Sequence, residues 1–258
     1  MAYFTRIGDT AFRPSWHVSG AWDVADQHIA PAMGLLAHVV ELDRDARRSD
    51  GLVLARLSYD IFGTMSVDVV ETAVRVVRPG RTIELVEATL FHGGRSSLSL
   101  RAWLMQRAAT ADLAGSPLPS IAPPGEMEPW DPSAVWPGGF LSSLEVRRAQ
   151  VEPGRASYWI RPRQPLVEGE PVSATARAAG LLDLANGMTT RADPEVVAFP
   201  NVDLTAHFLA EPPDGWLGFD TSVSFGSDGV GITASTLHGP SGAIGTVSQI
   251  LTLRPKDR

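Results

Sequence analysis

The sequence predicts an α+β protein built on one plan used twice: two antiparallel sheets, each wrapped around a long central helix, forming one continuous curved sheet or a close pair. Two observations carry this expectation. A helix-length apolar segment is followed by four β-like runs, and the same order returns in the second half of the chain. Both helical segments are apolar on nearly every side, so each must be covered around most of its circumference.

Residues 26–42 read as the first helix, whose opening turn tolerates Pro31. Strand-like runs follow at 52–61, 67–77, 81–91 and 96–105, with turn signals at Phe62-Gly63-Thr64, Pro79-Gly80 and His92-Gly93-Gly94. Such short turns imply an antiparallel meander. In the second half, strands at 141–151 and 157–161 precede a helix over 171–188, and then come strands at 196–209, 216–225, 231–237 and 243–253. An internal echo supports the duplication: Ala88-Thr-Leu-Phe-His-Gly-Gly-Arg95 resembles Ser235-Thr-Leu-His-Gly-Pro-Ser-Gly242, each at the last hairpin of its half. Between the halves, 109–139 is rich in Pro, Gly, Ser and Ala and reads as a connector. The expected units are therefore 1–108, 109–139 and 140–258.

Composition narrows the function classes. An apolar fraction of 44% and a charged fraction of 20% are those of a globular protein, and no apolar run is long enough to span a bilayer. The N-terminus lacks a basic stretch followed by an apolar one, so a cytoplasmic location is the default expectation. Cysteine is absent, which removes disulfides, thiolate metal sites and cysteine nucleophiles together. The histidines at 17, 28, 38, 92, 207 and 238 form no metal-ligand pattern, so no metal or other cofactor is expected. A net charge of −7 argues against a nucleic-acid partner, although local arginines could meet a small anion. Arg161 and Arg163, or Arg78 and Arg81, are the candidates for that contact.

One carboxylate stands out. Asp183 lies among Ala178, Ala179, Leu181, Leu182, Leu184 and Ala185, where an ionised group is costly unless it is paired or hydrogen-bonded. A carboxylate kept in such a place is a candidate for function, weighed against a structural Asp bonded to a backbone amide. Gln249 shares strand parity with Val247, Leu251 and Leu253, which puts a polar amide on an apolar face. Asn201 shares parity with Asp203 and Thr205 as well as Phe199, and Pro200 marks a bulge that re-aims it. No Gly-x-Ser-x-Gly elbow, phosphate loop or dinucleotide fingerprint is present.

Taken with helix 28–40, Val67-Asp-Val-Val-Glu-Thr-Ala-Val-Arg-Val-Val-Arg-Pro-Gly-Arg81, Asp183-Leu184, Asn201-Val202-Asp203 and the run from 249 to 254, the chain resembles the acyl-CoA thioesterase II group of the thioesterase-like superfamily. The resemblance implies a double hotdog fold and hydrolysis of acyl-CoA to free acid and coenzyme A. It also implies a catalytic set of Asp183, Asn201 and Gln249, with Asn201 standing where the family has Thr or Ser. Asp183 would activate a water that Asn201 and Gln249 hold. The family's Gly-Gly pair near the start of the first helix is replaced by Ile29-Ala30-Pro31, and Pro31 has no amide. The oxyanion contact is therefore expected from the amides of Ala32 or Met33. Acyl-CoA is the expected partner, and a homodimer or higher homo-oligomer is compatible with the fold. Two rival readings remain. A non-catalytic relative of the same fold would bind acyl-CoA or another apolar ligand, and the Asp23/His28 separation is similar to that of hotdog enoyl-CoA hydratases, whose surrounding motif is absent.

Overall fold

The first long helix, α1 (Ile29–Arg47), begins where the backbone of His28 is extended and its ring Nδ1 accepts the Ala30 amide at 3.2 Å. Pro31 costs nothing there, since an amide in the first turn has no partner within the helix. The run from Ala30 to Glu41 is buried without a break, as a helix apolar all round requires. Beyond it the helix continues five residues past the expected end, on a solvated turn in which Arg47 Nε donates to Asp43 at 2.7 Å. The computed structural model describes residues 1–256; positions 257 and 258 of the expected C-terminal unit lie outside the described residues.

The strands are β1 (Phe4–Arg6), β2 (Ala11–Pro14), β3 (Val53–Ile61), β4 (Val70–Arg78), β5 (Ile83–His92), β6 (Arg95–Met105), β7 (Glu128–Trp130), β8 (Leu144–Glu152) and β9 (Arg155–Pro162). After them come β10 (Val197–Ala198), β11 (Asp203–Phe208), β12 (Leu217–Phe225), β13 (Val230–Gly239), β14 (Gly242–Thr252) and β15 (Arg254–Pro255). Thirteen of them form one continuous antiparallel sheet in the order β1-β2-β4-β5-β6-β3-β11-β14-β13-β12-β9-β8-β7. The order reads as two halves mirrored about the β3·β11 seam, where Leu204 faces Tyr59 and Ser58 Oγ bonds Thr205 Oγ1 at 2.9 Å. The echoing segments of the sequence fall on the β5–β6 and β13–β14 hairpins, which are equivalent under this arrangement.

In the second half the helix expected over 171–188 is not one element. The short α3 (Ala174–Ala179) ends at Gly180, and 3-10 turns follow at Leu182–Ala185 and Gly187–Thr189. Close packing accounts for the small residues here: α1 crosses α3 so tightly that a Cβ on Gly34 would sit 2.9 Å from the Ala176 carbonyl and 3.0 Å from Gly180. Asp183 thus lies in a 3-10 turn rather than mid-helix. The run 196–209 is also split, with β10 and β11 separated by Phe199 to Val202 around Pro200.

The connector is more than a tether. It supplies edge strand β7, and its end enters α2 (Gly139–Ser142), locked against residues 19 and 20. A Cβ on Gly138 would be 2.4 Å from the Ser19 carbonyl, and one on Gly20 would be 2.3 Å from the Pro137 carbonyl. No helix is long and apolar enough to cross a membrane among the described residues.

Candidate active site

Asp183 is 6% exposed and opens on a cavity of about 380 Å³ between the two halves. Its Oδ1 accepts from Asn201 Nδ2 at 2.6 Å and from Gln249 Nε2 at 3.2 Å, and Gln249 Nε2 also reaches the Asp183 carbonyl at 3.4 Å. Three positions separated by 18 and 66 residues of sequence therefore meet at one oxygen. Burial raises the Asp183 carboxyl to about 7, and the two amide hydrogen bonds hold it from rising further.

Each partner is fixed by backbone. Asn201 is pinned because Thr252 N donates to the Pro200 carbonyl at 2.9 Å, Val202 N donates to the Ile250 carbonyl at 3.2 Å, and Asn201 itself bridges Leu251. Its second amide hydrogen goes to the Asp203 carbonyl at 3.1 Å, while its side chain lines the cavity. Gln249 sits on the buried face of β14 between Val247 and Leu251, opposite Thr233 of β13. It does not line the cavity: its amide is spent on Asp183 from behind. Asn201 and Gln249, the residues expected to hold a water, both direct an amide donor at Oδ1 of the carboxylate.

The other Asp183 oxygen faces the start of α1. His28 Nδ1 is 3.8 Å from Oδ2, yet this is not an ion pair, since the Nδ1 lone pair already receives the Ala30 amide. Burial pushes the His28 ring down to about 3, so it stays neutral. Sequence reading placed His28 only in a hydratase context; its place as the cap of α1 beside Asp183 is set by the fold.

Ala32 and Met33 do not supply free amides. In a helix starting at Ile29 their N–H groups are the first taken by the i→i−4 ladder, and neither residue lines the cavity. Within the first turn Ala30 bonds His28 and Pro31 has no N–H, which leaves Ile29, a cavity-lining residue, as the open donor.

Of the arginines singled out in the sequence, none lines the cavity. Arg161 pairs with Glu145 at 2.7 Å and lies over Trp216, and Arg78 donates to the Ile83 carbonyl beside the Arg48 cluster at the far end of α1. That end is about 28 Å from the site by helix rise. At the cavity mouth stand Arg254, which lines it, and Lys256, whose Nζ is 5.8 Å from the Trp22 ring.

A single antiparallel sheet carrying one long buried helix and a cavity at the seam of its halves is the architecture of hot dog proteins. The chain superposes on a hot dog fold protein from Alicyclobacillus acidocaldarius with a TM-score of 0.75 at 14% identity, covering 98% of this chain and 96% of that one. It superposes on a protein assigned as thioesterase II from Thermobifida fusca (TM-score 0.73, 21% identity, 99% and 97% covered). An acyl-CoA thioesterase II from Mycobacterium marinum matches likewise (TM-score 0.69, 16% identity, 98% and 96% covered). At these identities the likeness establishes the fold.

The family comes from sequence models. Residues 18–105 match the acyl-CoA thioesterase N-terminal domain and 119–253 the acyl-CoA thioesterase C-terminal domain, and the chain belongs to the acyl-CoA thioesterase family. It is an enzyme of that class. No curated protein matches it.

Proposed function

We propose that this protein hydrolyses acyl-CoA to the free acid and coenzyme A at Asp183, with Asn201 and Gln249 as the residues that hold the base. The observation that carries the reading is a buried carboxylate gripped at Oδ1 by two amides, its Oδ2 turned toward the N-terminus of α1. A base raised to about 7 changes protonation near neutral pH, where proton transfer to and from it is most effective.

In this mechanism the thioester carbonyl lies against the Ile29 amide, at the positive end of the α1 dipole. Asp183 Oδ2 takes a proton from a water, whose oxygen attacks the carbonyl carbon while the Asn201 Oδ1 accepts the water's other hydrogen. The C–O bond forms, the C–S bond breaks, and the proton passes from Asp183 to the leaving thiolate. Gln249 acts behind the base, fixing its rotamer. Arg254 and Lys256 stand where the phosphates of coenzyme A would leave the cavity.

The reading extends to the whole chain as a double hotdog with an N-terminal unit over 1–108, a connector over 109–139 and a C-terminal unit over 140–258. A cytoplasmic setting and a homo-oligomeric assembly belong to the same proposal. Purified protein incubated with a panel of acyl-CoA esters and a thiol reagent tests the activity. Thiol release that disappears in Asp183→Asn supports the assignment, whereas tight binding without release would replace it with a ligand-binding role.

A further inference from the structure

We propose that His28 is a further catalytic residue, whose ring donates a hydrogen bond from Nε2 to the thioester oxygen and shares the oxyanion with the Ile29 amide. The inference rests on the thioesterase reading and adds a side-chain donor to it. Oxyanions are held best by several donors at once, and the opening turn of α1 supplies one from its backbone, because Ala30 is bonded to His28 and Pro31 has no N–H. His28 directly precedes that open amide and lines the same cavity.

The place of the ring proton follows from the contacts of the other nitrogen. Nδ1 lies 3.2 Å from the Ala30 amide, which can only donate, so Nδ1 presents its lone pair and the neutral ring carries its hydrogen on Nε2. Turning the ring over would set a carbon against that amide and leave the N–H of fully buried Ala30 without a partner. An Nδ1–H aimed at Asp183 fails on two counts. Nδ1 is 3.8 Å from Oδ2, beyond hydrogen-bond range, and such a hydrogen would face the Ala30 N–H. Burial pushes the ring down to about 3, so it stays neutral at any pH where Asp183 can act as a base.

Nε2 opens on the cavity. Among the described residues, His17 Nδ1 and His238 Nε2 are ring nitrogens sealed inside the protein without a partner, whereas His28 Nε2 is neither sealed nor bonded to protein. A ring nitrogen of that kind faces the cavity its residue lines. The ring is also held in place. The His28 backbone N donates to the Val18 carbonyl at 2.7 Å, and the ring packs on Phe140 at 4.7 Å between centroids. Phe140 is tied in turn, its N donating to the Ser19 carbonyl at 3.1 Å.

Such a ring is a hydrogen-bond donor and not a proton source. A neutral imidazole that accepts a helix N-terminal amide on one nitrogen polarises a carbonyl with the N–H of the other. The proton balance of hydrolysis is unchanged: the water proton goes to Asp183 and on to the thiolate, while Nε2 keeps its hydrogen. Its bond to the carbonyl oxygen strengthens as that oxygen gains charge, which favours the transition state over the bound substrate.

His28→Asn separates the cap from the donor. Asn is a preferred N-cap whose Oδ1 can accept the Ala30 amide, but it is too short to put a donor where Nε2 stands. With octanoyl-CoA its kcat should fall about a hundredfold or more, the usual cost of one oxyanion donor, while KM changes less than about threefold. The ionisation near 7 should persist in the residual activity, since Asp183 is untouched. Nitrogen NMR of histidine-labelled wild type, with His28 assigned by its loss in the variant or by through-bond correlation, gives a reading that needs no turnover. Nε2 should carry the proton and Nδ1 none, without titration from pH 5.5 to 8.5. An octanoyl-CoA analogue with CH2 in place of the thioester sulfur keeps the carbonyl and cannot be cleaved, and on binding it should move the Nε2 proton downfield. Unchanged kcat in folded His28→Asn, a proton on Nδ1, or an Nε2 proton unmoved by the bound analogue overturns the donor role while leaving the thioesterase reading in place. If His28→Asn does not fold, the two wild-type NMR readings decide. Absence of thiol release by the wild type with any acyl-CoA overturns both.

Discussion

Replacing Asp183 by Asn should make the protein more stable at alkaline pH while removing its activity. In the folded protein burial raises the Asp183 carboxyl from 3.8 to about 7. A raised carboxyl binds its proton more tightly when folded than when unfolded, so the stability it contributes is fully present below about 3.8 and is lost as pH climbs to about 7. At about 1.4 kcal/mol per pKa unit, the loss between pH 5 and pH 8.5 is about 3 kcal/mol. An Asn has nothing to ionise, and its Oδ1 can still accept from Asn201 and Gln249. The variant should therefore gain about 3 kcal/mol on the wild type between those two pH values. That gain corresponds to roughly 6 to 12 °C in Tm for a chain of this size. Paired thermal unfolding curves at pH 5, 7 and 8.5 measure it, and subtracting them removes the contributions of groups common to both proteins. A difference that stays flat with pH, or a variant less stable at pH 8.5, would show that burial does not raise the Asp183 carboxyl.

Other substitutions probe the remaining parts of the site. Ile29→Pro removes the proposed oxyanion donor at a helix position where proline is favoured and after a residue already extended, so kcat should fall about a hundredfold or more with folding retained; unchanged turnover would move the oxyanion contact elsewhere. Asn201→Thr puts a hydroxyl donor near Asp183 in place of the amide and should retain turnover, whereas Asn201→Leu should suppress it about tenfold or more. If both variants keep full turnover per folded molecule, Asn201 is only structural. Arg254→Ala should raise KM for acyl-CoA about three- to tenfold, a loss of roughly one charge-assisted contact, and leave the KM of the matching N-acetylcysteamine thioester unchanged. Equal effects on both substrates would place Arg254 outside coenzyme A binding.

The sequence made the sheet legible where alternation is long and turns are short. Strands β3 to β6 and β12 to β14 lie within a few residues of the runs read from period-two patterning. Strands β1, β2 and β15, of two to four residues, carry too little pattern to be seen: β2 is held by the longer β4, β1 by β2, and β15 pairs only with the two-residue β10. The second helix is shorter than its sequence suggests for a physical reason: its apolar, small-residue run signals burial correctly, but burial does not distinguish an α-helix from a short helix followed by 3-10 turns. The cost of placing Asp183 in that run was visible in the sequence, and so was the amide of Gln249 on an apolar face. Their meeting at a single oxygen required the folded sheet. The same holds for the cavity wall, where Trp22 and Trp136 touch across 114 residues. Which amide is open depends on which residue begins α1, and the His28 cap that fixes this start is not among the common capping residues.

The most direct test of Asp183 as the base is the pH dependence of kcat/KM for octanoyl-CoA from pH 5.5 to 8.5, in the wild type and in Asp183→Asn. Wild-type kcat/KM should rise with pH through a single ionisation near 7, as the raised carboxyl loses its proton. In Asp183→Asn the residual rate should be at least about a hundredfold lower, and that ionisation should be gone. A wild-type profile flat across this range, or the same ionisation persisting in the variant, would contradict it.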